Sequence, residues 1–117
     1  MAIDGTAGRL ATVFRNPARV VLLDMATGAI AGTLPTCGDS DDVFFDARRH
    51  RLYVSCGEGL VEAFQAAPAD FHAIGRIRTS RGARTSLFVP ELDQLFVAAR
   101  AGLIESDASI LVFRGTD

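Results

Sequence analysis

Asp39, Asp41 and Asp42 fall within four positions, and a second polar cluster, Arg84-Thr-Ser86, begins 43 residues after Asp41. Carboxylates this close could hold a cation, and arginines beside them could hold an anion through paired N–H donors. The competing reading of Ser40-Asp-Asp42 is a set of turn contacts and solvated rim charge. Arg15 and Asn16, at the end of an apolar run, and Arg100, at the start of a long polar loop, are binding candidates of the same kind. The other reactive side chains form no constellation. His50 and His72 lie 22 residues apart, and neither has a Ser or Cys placed as a nucleophile to its base. Glu58 and Glu62 have no neighbour that would orient them as a catalytic carboxylate pair. Gly57-Glu-Gly59 is a turn, since the Lys of a phosphate loop is missing after it. Cys37 and Cys56 are 19 residues apart, too far for a C-x-x-C redox pair, and two cysteines with two scattered histidines make no zinc set. No catalytic residue, metal or cofactor is therefore expected.

The chain of 117 residues has the length of one domain, and with 49% apolar and 22% charged residues it is not a disordered composition. Its net charge of −2, with both signs interspersed, gives no reason to expect a nucleic-acid or anionic-membrane partner. All twelve cationic side chains are arginine, to which we attach no function. No run approaches the roughly 18 apolar residues of a membrane span. Met1-Ala-Ile-Asp4 has neither the charged nor the apolar region of a signal peptide, so any export address would belong to a longer parent.

A repeat positions the candidates. Asp4-Gly-Thr-Ala-Gly-Arg-Leu10 returns as Asp46-Ala-Arg-Arg-His-Arg-Leu52 and more loosely as Pro90-Glu-Leu-Asp-Gln-Leu95, so the closing Leu advances by 42 and then 43 residues. Gly32-Thr-Leu-Pro-Thr36 likewise returns 43 residues on as Gly75-Arg-Ile-Arg-Thr79. A period of this length built from short β-prone runs is the pattern of β-propeller blades. Bulky and β-branched runs between Gly, Asp, Pro and Asn predict strands at about 1–4, 10–14, 19–24 and 29–34, then 42–46, 52–55, 60–65 and 72–78, then 86–90, 95–99 and 109–114. We expect an all-β fold: a partial propeller over 1–117, with repeats at about 1–40, 41–84 and 85–117. It would comprise about three blades of four-stranded antiparallel sheet, the last lacking its outer strand.

Runs such as Val20-Val-Leu-Leu23 and Val43-Phe-Phe45 are apolar at consecutive positions, so both faces need cover, which stacked sheets provide. Three blades cannot close a ring. The expected partners are further copies of the chain or the remaining blades of a longer parent, and an isolated monomer is expected to expose faces carrying Leu22, Phe44, Phe88 and Leu111.

Strand direction decides which loops meet. The connections from the second to the third strand, and from one blade to the next, should gather at one end of the ring. These are residues 15–18, 35–41, 56–59, 79–84 and 100–108, and they hold or adjoin Arg15, Asn16, Asp41, Asp42, Arg84, Thr85 and Arg100. Binding favours loops on a rigid frame, so a small molecule or protein is expected at that end. The same topology brings Cys37 and Cys56 to one end of one blade. There a disulfide, worth roughly 3 kcal/mol by loop closure, competes with two separate reduced thiols.

Arg51-Leu-Tyr-Val-Ser55, Val21-Leu-Leu-Asp-Met-Ala-Thr-Gly-Ala-Ile30 and Val43-Phe-Phe-Asp46 resemble the characteristic segments of the YVTN-type β-propeller repeat family, and the resemblance runs the length of the chain. The first copy departs from it at Leu10-Ala-Thr-Val-Phe14, and the third at Leu95-Phe-Val-Ala-Ala99 and in its longer loop, 100–108. The resemblance implies a mostly non-enzymatic protein, often exported, so that a full-length parent would be periplasmic or secreted. Such proteins bind ligands, nucleic acid or other proteins through the ends of the ring. No catalytic motif belongs to the repeat. The expected function is a non-catalytic binding or assembly module; the alternative is part of a propeller hydrolase, lyase or quinoprotein-like oxidoreductase completed by other blades or a second chain.

Overall fold

The computed structural model describes residues 1–102 and 107–116, and within them the regular structure is all β. β1 (Ala2–Asp4), β2 (Arg9–Arg15), β3 (Ala18–Asp24) and β4 (Ile30–Pro35) form one antiparallel sheet in chain order. β5 (Ser40–Asp46), β6 (Arg51–Cys56), β7 (Leu60–Ala67) and β8 (Asp70–Arg78) form a second. β9 (Ser86–Val89), β10 (Gln94–Ala99) and β11 (Ser109–Arg114) make a third sheet of three strands. Part of the long loop before β11, residues 103–106, lies outside the described residues.

The period seen in the sequence is repeated in the backbone. Positive φ falls at Gly8, His50 and Asp93, each two residues before the recurring Leu10, Leu52 and Leu95. It falls again at Gly28 and Ala69 between the third and fourth strands, and at Asp39 and Gly82 in the connections to the next sheet. His50 is therefore a turn residue held at φ 53, in the place that Gly8 takes at 65. Pairing repeats too: Ile3↔Leu10, Phe45↔Leu52 and Phe88↔Leu95 occupy the same register. A bulge interrupts β4 just before Gly32 and β8 just before Gly75, at the glycines that open the second sequence marker.

Side-chain alternation divides the apolar residues between two cores. Ala11, Val20 and Leu22 of the first sheet pack with Val43, Leu52, Val54 and Phe64 of the second. On the other face of the second sheet, Phe44, Tyr53 and Val61 pack with Phe88, Leu95, Val97 and Leu111 of the third. The β5–β7 part of the middle sheet is thus covered on both sides, while β8 is largely exposed. This corrects the expected exposed faces, since Leu22, Phe44, Phe88 and Leu111 all lie between sheets. Exposed apolar residues include Ile3, Phe14 and Ile30 on the first sheet and Leu87, Ile110 and Val112 on the third. Ile74 and Ile77 on β8 of the second sheet are exposed too, as are Met1, Met25 and Leu92 at a chain end or in turns. Two equivalent arginines stitch the layers: Arg9 donates to the Ala66 carbonyl and Arg51 to the Thr116 carbonyl, each one sheet onward.

Candidate binding cleft

β2 ends at Arg15, β5 begins at Ser40, Arg84 and Thr85 lead into β9, and Arg100 follows β10. Because every second strand points the same way, these ends converge on one open cleft of about 750 Å³ lined by Arg15, Asp41, Gly82, Arg84, Thr85 and Arg100, with Ala98, Ala99 and residues 108–110 completing the wall. Asp41 reaches it because it is the unpaired residue of a bulge: Ser40 pairs Cys56 and Asp42 pairs Ser55, leaving Asp41 between them. A bulge re-aims a side chain in this way.

Asp39, at φ 57, lies between two arginines. Its Oδ1 is 3.5 Å from Arg15 Nε and its Oδ2 2.9 Å from Arg84 Nη2. Arg15 also donates to Asp41 Oδ1 at 2.6 Å and to the Ser40 carbonyl at 3.0 Å. Ion pairs this exposed add little stability, so their main effect is to aim the guanidinium groups. The Arg84 backbone is fixed from the second sheet, where Ser55 Oγ donates to its carbonyl at 2.6 Å. Arg84 Nε is buried with no hydrogen-bond partner among the described residues. Arg100 lies against Gly82, where an added Cβ would come within 2.6 Å of Arg100 Nε. Cys37 and Cys56 are joined by a disulfide that ties the connector carrying Asp39 to the end of β6.

Of the residues singled out by sequence, Arg15, Asp41, Arg84, Thr85 and Arg100 therefore share the cleft. Asp42 and Asn16 do not line it. Asp42 turns to the contact between sheets and accepts the Ser86 N–H at 2.9 Å, while Asn16 sits exposed in the β2–β3 turn, before a cis bond to Pro17. Glu58 and Glu62 are each oriented, but separately. Glu58 accepts the Gly38 N–H at 2.6 Å, and buried Glu62 accepts from Thr36 Oγ1 and Arg76 Nε, both at 3.0 Å. His72 pairs with Asp70 at 2.7 Å on the exposed edge. Among the described residues no group of three His, Cys, Asp or Glu side chains is arranged to hold a metal ion.

The strongest polar network lies at the other end of the sheets. Arg49 donates to Asp46 Oδ2 at 3.0 Å and, through both terminal nitrogens, to Asp93 at 2.6 and 2.8 Å, joining the second sheet to the third. The Arg49 hydrogen bonds hold the Asp93 carboxyl below the usual range, and Asp93 and Asp46 raise the guanidinium in turn. Tyr53 donates to Asp46 at 2.8 Å; burial first, and that bond second, push its phenol up to about 12. The available sequence signal was Asp46, which opens the second copy of the first repeat marker.

No family model matches the chain, and no curated protein matches it. Chemically the cleft suits an anion. Among the described residues, Arg15, Arg84 and Arg100 outnumber Asp41 in its lining and the adjacent Asp39, and Arg100 has no ion-pair or hydrogen-bond partner. A carboxylate or phosphate group would find planar N–H donors there.

Proposed function

We propose that the chain is a non-catalytic binding module built from three β-propeller blades related to the YVTN-type repeat, taking an anionic small molecule or an anionic group of a protein partner at the loop end. The observation that carries this reading is the meeting of Arg15, Arg84 and Arg100, contributed by three successive repeats, around one cleft. The blade interpretation draws support from the shared register, the repeated positive-φ positions and the two matching bulges. Loops held by a rigid sheet frame are where binding residues concentrate.

The test is a titration of the ¹⁵N-labelled chain with inorganic phosphate and, separately, succinate at low ionic strength, where such pairing is least screened. Amide shifts should localise to Gly82, Thr85, Arg100 and Ser109. They should vanish when Arg84 and Arg100 are both replaced by Ala. Shifts scattered over the surface, or none at millimolar concentrations, would reject the reading.

A further inference from the structure

The three sheets each have two kinds of face, and every internal interface joins one kind to the other. The face turned toward the preceding sheet carries Phe45, Leu52, Val54 and Phe64 in the second sheet and Phe88, Leu95 and Val97 in the third. The face turned toward the following sheet carries Ala11, Val20 and Leu22 in the first sheet and Phe44, Tyr53 and Val61 in the second. Register identifies the two faces left open. Ile3 and Leu10 take the places of Phe45 and Leu52, so the outer face of the first sheet, with exposed Ile3, Phe14 and Ile30, is of the first kind. Phe96 takes the place of Tyr53, and Leu87 that of Phe44. The outer face of the third sheet, with exposed Leu87, Ile110 and Val112, is therefore of the second kind. One molecule thus exposes both halves of an interface it already makes twice internally.

We infer that the outer face of the third sheet packs on the outer face of the first sheet of a second copy of this chain. The contact is head-to-tail, continuing the stack with the pairing seen between the first and second sheets and between the second and third. It rests on the reading of the sheets as blades. A head-to-tail contact repeats until rotation closes a ring, or else continues as a filament. A contact of like faces, related by a two-fold axis, would instead set residues of one kind against themselves, a pairing neither internal interface uses.

Two variants of the full chain separate these cases by sedimentation velocity and light scattering. Ile3→Glu with Ile30→Glu blocks the first sheet; Leu87→Glu with Val112→Glu blocks the third. All four positions are more than half exposed, so the monomer fold should survive, and circular dichroism checks it. Milder Gln replacements at the same positions serve if a Glu variant unfolds. The unmodified chain should exceed the 12.5 kDa of one copy, each variant alone should be monomeric, and an equimolar mixture should form a one-to-one dimer through the two intact faces. A variant that self-associates alone, or a mixture that stays monomeric, overturns the head-to-tail contact. A monomeric unmodified chain overturns the second copy as partner. In each case the phosphate titration, run on the monomeric variants, still decides cleft binding independently.

Discussion

Gly59, between β6 and β7, is held at φ 103, and a Cβ there would meet the Arg81 nitrogen at 3.1 Å and the Ser80 carbonyl carbon at 3.2 Å. Both contacts are backbone, so no side chain can rotate away. Gly59→Ala is expected to lower stability by about 1–3 kcal/mol, the usual cost of holding a non-glycine residue in such a region. Urea unfolding measures it, and an unchanged midpoint would mean that residues 80–81 yield freely. Tyr53 offers a second test because it is the only tyrosine, so phenolate absorbance reads this ring alone. Its folded value of about 12 exceeds the value of about 10 expected in an unfolded chain. The stability tied to it is therefore complete below pH 10 and is lost as pH rises through 12. An absorbance midpoint near 10 in the folded protein would place the phenol in water. Tyr53→Phe should remove this part of the alkaline loss.

At the scale of elements, the Cys37–Cys56 bridge spans 19 residues of sequence and pins the connector between the first two sheets. Replacing both by Ser is expected to cost roughly 3 kcal/mol through loop closure, read as a shift in urea midpoint that reductant reproduces in the unmodified chain. Alkylation of the denatured, unreduced protein should label neither cysteine. Strand positions were legible because apolar runs are short and turn residues punctuate them: all eleven strands lie within about two residues of their expected ends. Which face each run presents was less legible. Val20-Val-Leu-Leu23 is apolar throughout, so composition alone could not assign Leu22 to the covered side; the register does. The cleft was partly readable, since strand direction alone gathers Arg15, Arg84 and Arg100. Asp41 and Asp42 are adjacent in sequence, yet the bulge sends one to the cleft and the other to Ser86. The Arg49–Asp93 clasp was hidden for another reason. Its partners are 44 residues apart, and Ala7 and Leu92 stand where Arg49 does, with Gly8 and His50 in place of Asp93. A reading built on what the copies share passes over a contact made only once.

For the molecule as a whole, the layering makes stability uneven in a defined direction. Phe64, Leu52 and Val54 of the middle sheet are fully covered by the first sheet, and Val61 of the same sheet by the third, whereas each outer sheet has one apolar face in solvent. Opening an outer sheet exposes one interface; opening the middle sheet exposes two. Amides in β6 and β7, which are also flanked by strands on both sides, should therefore exchange most slowly with deuterium, and those of β2 and β10 faster at low protein concentration. The proposed head-to-tail stacking would add a dependence that no property of a single copy supplies. As concentration rises, the open faces are covered and protection in β2 and β10 should climb toward that of β6, because binding that favours the closed form adds to its stability by mass action. The variants blocked at one face should show the gradient at every concentration. Exchange that is uniform across the three sheets at the lowest concentration would contradict the layered opening, and a gradient insensitive to concentration in the unmodified chain would contradict the stacking.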